Sequence, residues 1–84
     1  MADTKNTFHL IVASFGETLF DAAAESATLP TSAGEITILP HHEALVTTLK
    51  AGTITVDVTA GESKTFAITG GVLECSNNRV VVLL

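Results

Sequence analysis

The chain has 84 residues, 46% hydrophobic and 15% charged, with nine acidic and four basic side chains for a formal net charge of −5. A chain this short buries only roughly 60% of its unfolded surface, so it can form one small domain with a thin core and nothing larger. The acidic balance argues against nucleic acid, whose phosphates demand clustered Lys and Arg, and against an anionic membrane surface, which needs a polybasic patch.

The single cysteine, Cys75, excludes an internal disulfide and a cysteine-based zinc cage, and it fits a reducing compartment. Residues 1–6 (MADTKN) are polar and are expected to be disordered. The apolar run from Phe8 to Val12 is broken by His9 and is too short for a secretion signal or a membrane span. No other segment approaches the ~18 apolar residues of a span. The expectation is a soluble protein without direct membrane insertion, held at any membrane by another chain.

Thirteen Thr, eight Val and five Ile make almost a third of the chain β-branched, which favours strands. Trp and Tyr are absent, which argues against base- or sugar-stacking surfaces. Alternation is the main local signal. Phe8, Leu10 and Val12 share a face in residues 7–13, with His9 opposite. Glu17–Ala27 (ETLFDAAAESA) reads either as a helix, with Leu19, Phe20, Ala23, Ala24 and Ala27 on one side, or as two short strands closed by Pro30.

Ile36 and Ile38 point one way in residues 35–39, and His42–Leu49 reads either way. Ile54, Val56 and Val58 alternate with Thr53, Thr55 and Asp57, and Phe66 and Ile68 repeat the pattern after a hairpin loop at residues 59–63. Gly70-Gly71 marks a bend or close backbone packing. Asn77-Asn78 supplies a turn that tolerates left-handed backbone. The last segment, Arg79–Leu84, is apolar on both faces, so it is buried on both or covered by a partner. Short strands with turn signals between them predict an all-β fold, a compact sandwich or barrel.

Catalytic templates find little support. His41-His42, with His9 or Cys75, invites a metal reading, but neighbours on a strand point to opposite faces and zinc wants three or four convergent ligands. No metal site is expected. Cys75 and the histidines are not placed together by any pattern, Gly70-Gly71 lacks a phosphate-loop frame, and the nine carboxylates are scattered. An interaction module remains, with Gly34–Leu45 (GEITILPHHEAL) as its best candidate surface.

At this segment the sequence resembles the N-terminal β-sandwich domain of the epsilon subunit of F-type ATP synthase. Three blocks carry the likeness, in the family's order and over nearly the whole chain. FHLIVASFGETLFD resembles the opening strand and the Phe-containing segment after it. Leu29-Pro30 followed by GEITILPHHEAL resembles LP and GExGILPGHxPL. GGVLECSNNRVVVL resembles GGxLEVxxNxVxVL. The chain departs from the pattern at Ala22, Thr37 and His41, where the family has Gly. It also stops at Leu84, where the family's two-helix C-terminal hairpin begins, so the inhibitory role and ATP binding of that hairpin are not carried over.

The resemblance implies a single β-sandwich of about ten short strands spanning residues 1–84, with Glu17–Ala27 and the stretch after His42 as strands. It implies a noncatalytic rotor subunit of the central stalk, without cofactor. Such a subunit couples proton flow and c-ring rotation to ATP synthesis in the catalytic head, which it meets only indirectly. Its partners would be the gamma subunit and the c-subunit ring. The ring-facing loop maps onto Glu35, Leu39, Pro40, His41 and His42. Gly70, Gly71, Val72, Leu73, Glu74, Val81 and Leu83 would belong to the core and, in part, to the gamma interface. The location implied is the cytoplasmic face of the bacterial inner membrane rather than the thylakoid membrane. Two other classes stay in view: a free-standing β-sandwich that binds a soluble ligand, and a small metal-dependent enzyme using His41, His42 and Cys75.

Overall fold

The computed structural model describes residues 7–58 and 61–84; the disorder expected at residues 1–6, and Thr59 and Ala60 of the expected hairpin loop, lie outside them. Seven strands and no α-helix are found among the described residues: β1 (Phe8–Ser14), β2 (Glu17–Ala24), β3 (Ser26–Thr31), β4 (Gly34–Ile38), β5 (Leu45–Asp57), β6 (Ser63–Ser76) and β7 (Arg79–Leu83). The fold is all-β, as expected. Seven strands stand in place of about ten because β5 and β6 run unbroken for 13 and 14 residues and each serves two parts of the sheet.

The strands form one sheet in the order β2-β1-β7-β6-β5-β3-β4. All neighbours are antiparallel except β1 and β7, which pair in parallel from His9↔Arg79 to Ala13↔Leu83. In a flat sheet β2 and β6 would lie three strand spacings apart, about 14 Å. Instead the rings of Phe20 on β2 and Phe66 on β6 meet edge to face, with centroids 6.1 Å apart and an interplanar angle of 74°. The sheet is therefore folded over on itself, the arrangement of a small β-sandwich. One layer holds β2, β1, β7, the end of β6 and the start of β5. The other holds the rest of β5 and β6 with β3 and β4.

The fold-over happens where the ladder is weakest. Pro30 has no N–H to give, and the β3–β5 register jumps between Thr28↔Thr55 and Thr31↔Leu49. β5 passes this gap through Gly52, where an added Cβ would stand 3.0 Å from the Pro30 ring. On β6 the corresponding place is Gly70-Gly71. A Cβ on Gly71 would come within 2.5 Å of the Leu83 carbonyl oxygen, so this glycine lets β6 close onto β7.

Between the layers lie Phe8, Leu10 and Val12 of β1, Phe20 and Ala24 of β2, Ala27 and Leu29 of β3, Ile38 of β4, Leu49, Ile54 and Val56 of β5, Ile68, Leu73 and Cys75 of β6, and Val80 and Val82 of β7. Phe8, Leu10 and Val12 of β1, Ile38 at the end of β4, Ile54 and Val56 of β5 and Ile68 of β6 are inward positions of the expected alternation. The ambiguity over Glu17–Ala27 is settled as strand. Pairing with β1 sends Phe20 and Ala24 inward while Leu19 faces solvent, which a helical face would not allow. The β1–β2 connection is a two-residue turn at Phe15 (φ +48°) and Gly16 (φ +80°), and the β6–β7 connection is another at Asn77 (φ +52°) and Asn78 (φ +60°). Both have the type I′ signature that suits the twist of a hairpin.

Candidate interaction surfaces

The segment singled out in the sequence, residues 34–45, is a strand followed by a structured turn. Ile38 is core, Leu39 is exposed, and the chain then reverses before β5 begins at Leu45. His42 N–H donates to the Leu39 carbonyl at 3.2 Å. Pro40 occupies the second position of this four-residue turn and His41 the third, with φ +63°. A proline, then a left-handed residue, closed by that bond, is a type II turn. Its third position ordinarily demands glycine. The chain therefore keeps the backbone of the Pro-Gly step in the motif it resembles, with a histidine held in the glycine's conformation.

His41 is also tied outward: its N–H donates to Asn78 Oδ1 at 2.7 Å. The His42 ring sits with Nδ1 2.8 Å from the Glu43 carbonyl oxygen. Leu39, Pro40, His41 and His42 thus form one compact projection. Glu35 stands apart from it. It is exposed on β4, opposite Pro30, four residues before Leu39 and so about 13 Å along the strand.

The second set of residues falls on the outer side of the β1–β7–β6–β5 layer. Two register pairs, Val72↔Leu83 and Glu74↔Val81, make a square of four side chains on β6 and β7 that all point away from the core. Val72 and Leu83 are 41% and 55% exposed, large fractions for aliphatic side chains on a sheet. The alternation that sends these outward sends Leu73 inward, where it is fully buried. Leu73 is therefore a core residue and is removed from the partner-facing set. Gly71 contributes backbone closeness at the edge of the square rather than a side-chain contact.

Sequence reasoning missed the flanks. Ile11 on β1 lies opposite Val81, and Val46 on β5, 68% exposed, lies opposite Glu74. They extend the patch into an apolar stretch of Ile11, Val46, Val72, Val81 and Leu83 around Glu74, bordered on the same face by Asp21, opposite Ile11, and by Arg79. Only long-range register reveals this, because neither residue has a neighbour in sequence that marks it.

The residues of the metal reading do not converge. His9 Nε2 lies 2.5 Å from Asp21 Oδ1 on the neighbouring strand, and the Cys75 thiol faces the His42 backbone carbonyl at 4.0 Å rather than its ring. Among the described residues no three His, Cys, Asp or Glu side chains gather as a metal would require. Burial pushes the Cys75 thiol up from its ordinary pKa, which disfavours the thiolate a nucleophile needs.

Comparison with known proteins decides the family. Residues 7–84 match the model of the ATP synthase delta/epsilon chain β-sandwich domain. The chain belongs to this family. It is similar to the ATP synthase epsilon chains of Delftia acidovorans and Polaromonas naphthalenivorans, each 36% identical over 78 residues, covering 93% of this chain and 56% of theirs. It thus spans just over half the length of these relatives.

In solved structures the fold matches a chain of the Euglena gracilis mitochondrial ATP synthase, described as OSCP/F1/c-ring in rotational state 1. The TM-score is 0.88 at 21% identity, covering 98% of this chain and 52% of that one. It also matches a chain from the central stalk/c-ring of the Tetrahymena thermophila mitochondrial ATP synthase, with a TM-score of 0.77 at 17% identity, covering 96% and 65%. At these identities the likeness is one of fold.

Proposed function

We propose that the chain acts as a noncatalytic central-stalk subunit of a proton-translocating F-type ATP synthase, on the cytoplasmic face of a bacterial inner membrane. In this reading the outer face of β1, β7, β6 and β5 docks on the gamma subunit, and the Leu39–His42 turn with Glu35 meets the c-ring. Membership of the epsilon-chain family and the bacterial relatives support it.

One observation carries it. The candidate gamma-facing residues Val72, Glu74, Val81 and Leu83, scattered over twelve positions of sequence, assemble into one outward patch. An apolar stretch of sheet beside Glu74, flanked by Asp21 and Arg79, suits a protein partner, with the aliphatic side chains supplying the desolvated centre. Glu74 would fix orientation more than affinity, and Glu35 would do the same against polar or basic loops of the ring.

The test is co-migration with the gamma subunit of the same organism's ATP synthase on size exclusion. The wild-type chain is expected to form a stable complex, and Leu83→Lys is expected to weaken it by at least tenfold. Separate elution of the wild-type chain and gamma would overturn the proposal.

A further inference from the structure

Asn78 does more than complete the β6–β7 turn. Its φ of +60° is what that turn needs, and glycine would serve as well. Its side chain reaches two segments remote in sequence. Oδ1 accepts the His41 N–H, 37 residues away, and Nδ2 donates to the Thr7 carbonyl at 2.9 Å. The Asn78 carbonyl accepts the His9 N–H at 3.2 Å. The amide can sit only one way round, since His41 offers a donor and Thr7 an acceptor. Asn77, beside it in the same turn, makes no side-chain hydrogen bond among the described residues. The bonding is therefore specific to Asn78 and is not demanded by the hairpin.

We infer that Asn78 is a positioning residue: it fixes the Leu39–His42 turn to β6 and β7, the strands whose outer side carries Val72, Glu74, Val81 and Leu83. The inference rests on the functional reading above and deepens it. A subunit that rides on gamma and leans on the ring must hold its ring-facing turn rigid with respect to its gamma-facing strands. The β4–β5 connection is otherwise held to β6 by the Leu45↔Cys75 pairing and by the Cys75 thiol, 4.0 Å from the His42 carbonyl oxygen, and reaches β7 only across β6. The Asn78 amide spans that distance directly, and it bonds the turn at His41, the residue with left-handed backbone.

The experiment compares Asn78→Gly, Asn78→Asp and Asn77→Gly in the full chain. Asn78→Gly keeps the left-handed turn and removes only the amide. Amide hydrogen exchange read by NMR should rise about tenfold at His41, with Leu10 and Leu73 unchanged, as loss of one hydrogen bond implies. Binding to the gamma subunit should stay within twofold, while binding of the gamma complex to detergent-solubilised c-ring weakens at least fivefold. Asn78→Asp retains an acceptor for His41 and should keep both His41 protection and ring binding within about threefold. Asn77→Gly should match wild type.

Unchanged His41 exchange in Asn78→Gly would overturn the inference. So would a parallel rise at Leu10 and Leu73, or ring binding that persists after His41 protection is lost. If the wild-type chain binds neither gamma nor ring, the functional reading falls by itself, and the His41 exchange still decides whether Asn78 holds the turn.

Discussion

His41 carries a conformational cost that nothing in its side-chain chemistry offsets. An L-residue in left-handed backbone costs roughly 1–2 kcal/mol, and glycine avoids most of it at a smaller entropic cost. His41→Gly is therefore expected to stabilise the chain by about 1 kcal/mol, which in a domain this size raises the melting temperature by roughly 4–8 °C. Thermal unfolding by circular dichroism checks it; an unchanged or lowered midpoint would show that the imidazole contributes something the turn geometry does not reveal. Asp57 presents the opposite case, a residue whose surroundings favour its charge. Hydrogen bonds from Ser63 Oγ at 2.7 Å and Ser26 Oγ at 2.9 Å hold its carboxyl below its ordinary pKa, Ser63 contributing more. A depressed carboxylate stabilises the fold above its unfolded pKa, near 4, and loses that contribution as pH falls through the folded value. The NMR titration midpoint of Asp57 should move upward in Ser63→Ala and by less in Ser26→Ala. Equal midpoints in all three proteins would remove the assigned cause. The Asn-Asn pair was visible in the sequence as a turn signal and His41 only as a departure from the glycine of the motif it resembles, whereas the Asp57 bonds and the Asn78 amide depend on which strands meet. The left-handed Phe15, almost fully exposed at the β1–β2 tip, gave no local warning, because phenylalanine is a poor residue for that backbone.

The strands were legible where apolar and polar residues alternate and ambiguous where alanine dilutes the pattern. Phe8-Leu10-Val12 and Ile54-Val56 point inward as read, because one face of each strand had to be covered. Glu17–Ala27 satisfies a helical face equally well on paper. The choice falls to strand because β1 offers a complete ladder and a two-residue turn brings β2 onto it. Local propensity is a weak prior against such pairing. The continuity of β5 and β6 was hidden for a related reason: glycine reads as punctuation, yet here it lets a strand carry on through a bend. The two roles can be separated by experiment. Gly16 and Gly71 both have positive φ, +80° and +153°, but an added Cβ meets nothing at Gly16 and a backbone oxygen at 2.5 Å at Gly71. Gly16→Ala should cost about 1 kcal/mol from backbone conformation alone. Gly71→Ala must also push β6 from β7, an overpacking cost of roughly 1–3 kcal/mol in addition. Urea midpoints at equal m-value would measure both, and a Gly71→Ala loss no larger than that of Gly16→Ala would refute the close approach of the two strands.

A chain of 84 residues that is 46% hydrophobic yet leaves Val46, Val72 and Leu83 each at least 41% exposed has placed part of its apolar content outside its own core. Isolated exposed aliphatics are ordinary, but a contiguous face is not. The family resemblance pointed to Val72, Glu74, Val81 and Leu83 along with core positions, and the β6–β7 register makes these four neighbours. The resemblance did not mark Ile11 or Val46, which join them through β1–β7 and β5–β6 register. If this face is an interface, its contribution to stability is realised on binding, and the effect follows from mass action: a partner that binds only the folded chain stabilises it by about 2.7 kcal/mol at a hundredfold excess over Kd. For a domain of this size that is a rise of roughly 10–20 °C in Tm. Adding the gamma subunit to the wild-type chain should produce such a shift, growing with the logarithm of gamma concentration. The double variant Val72→Lys with Leu83→Lys alters residues that face solvent, so its Tm alone should remain within a few degrees of wild type while the gamma-dependent rise disappears. A variant that melts far lower on its own would mean the face belongs to the core. A variant that still gains the full shift would mean that gamma docks elsewhere.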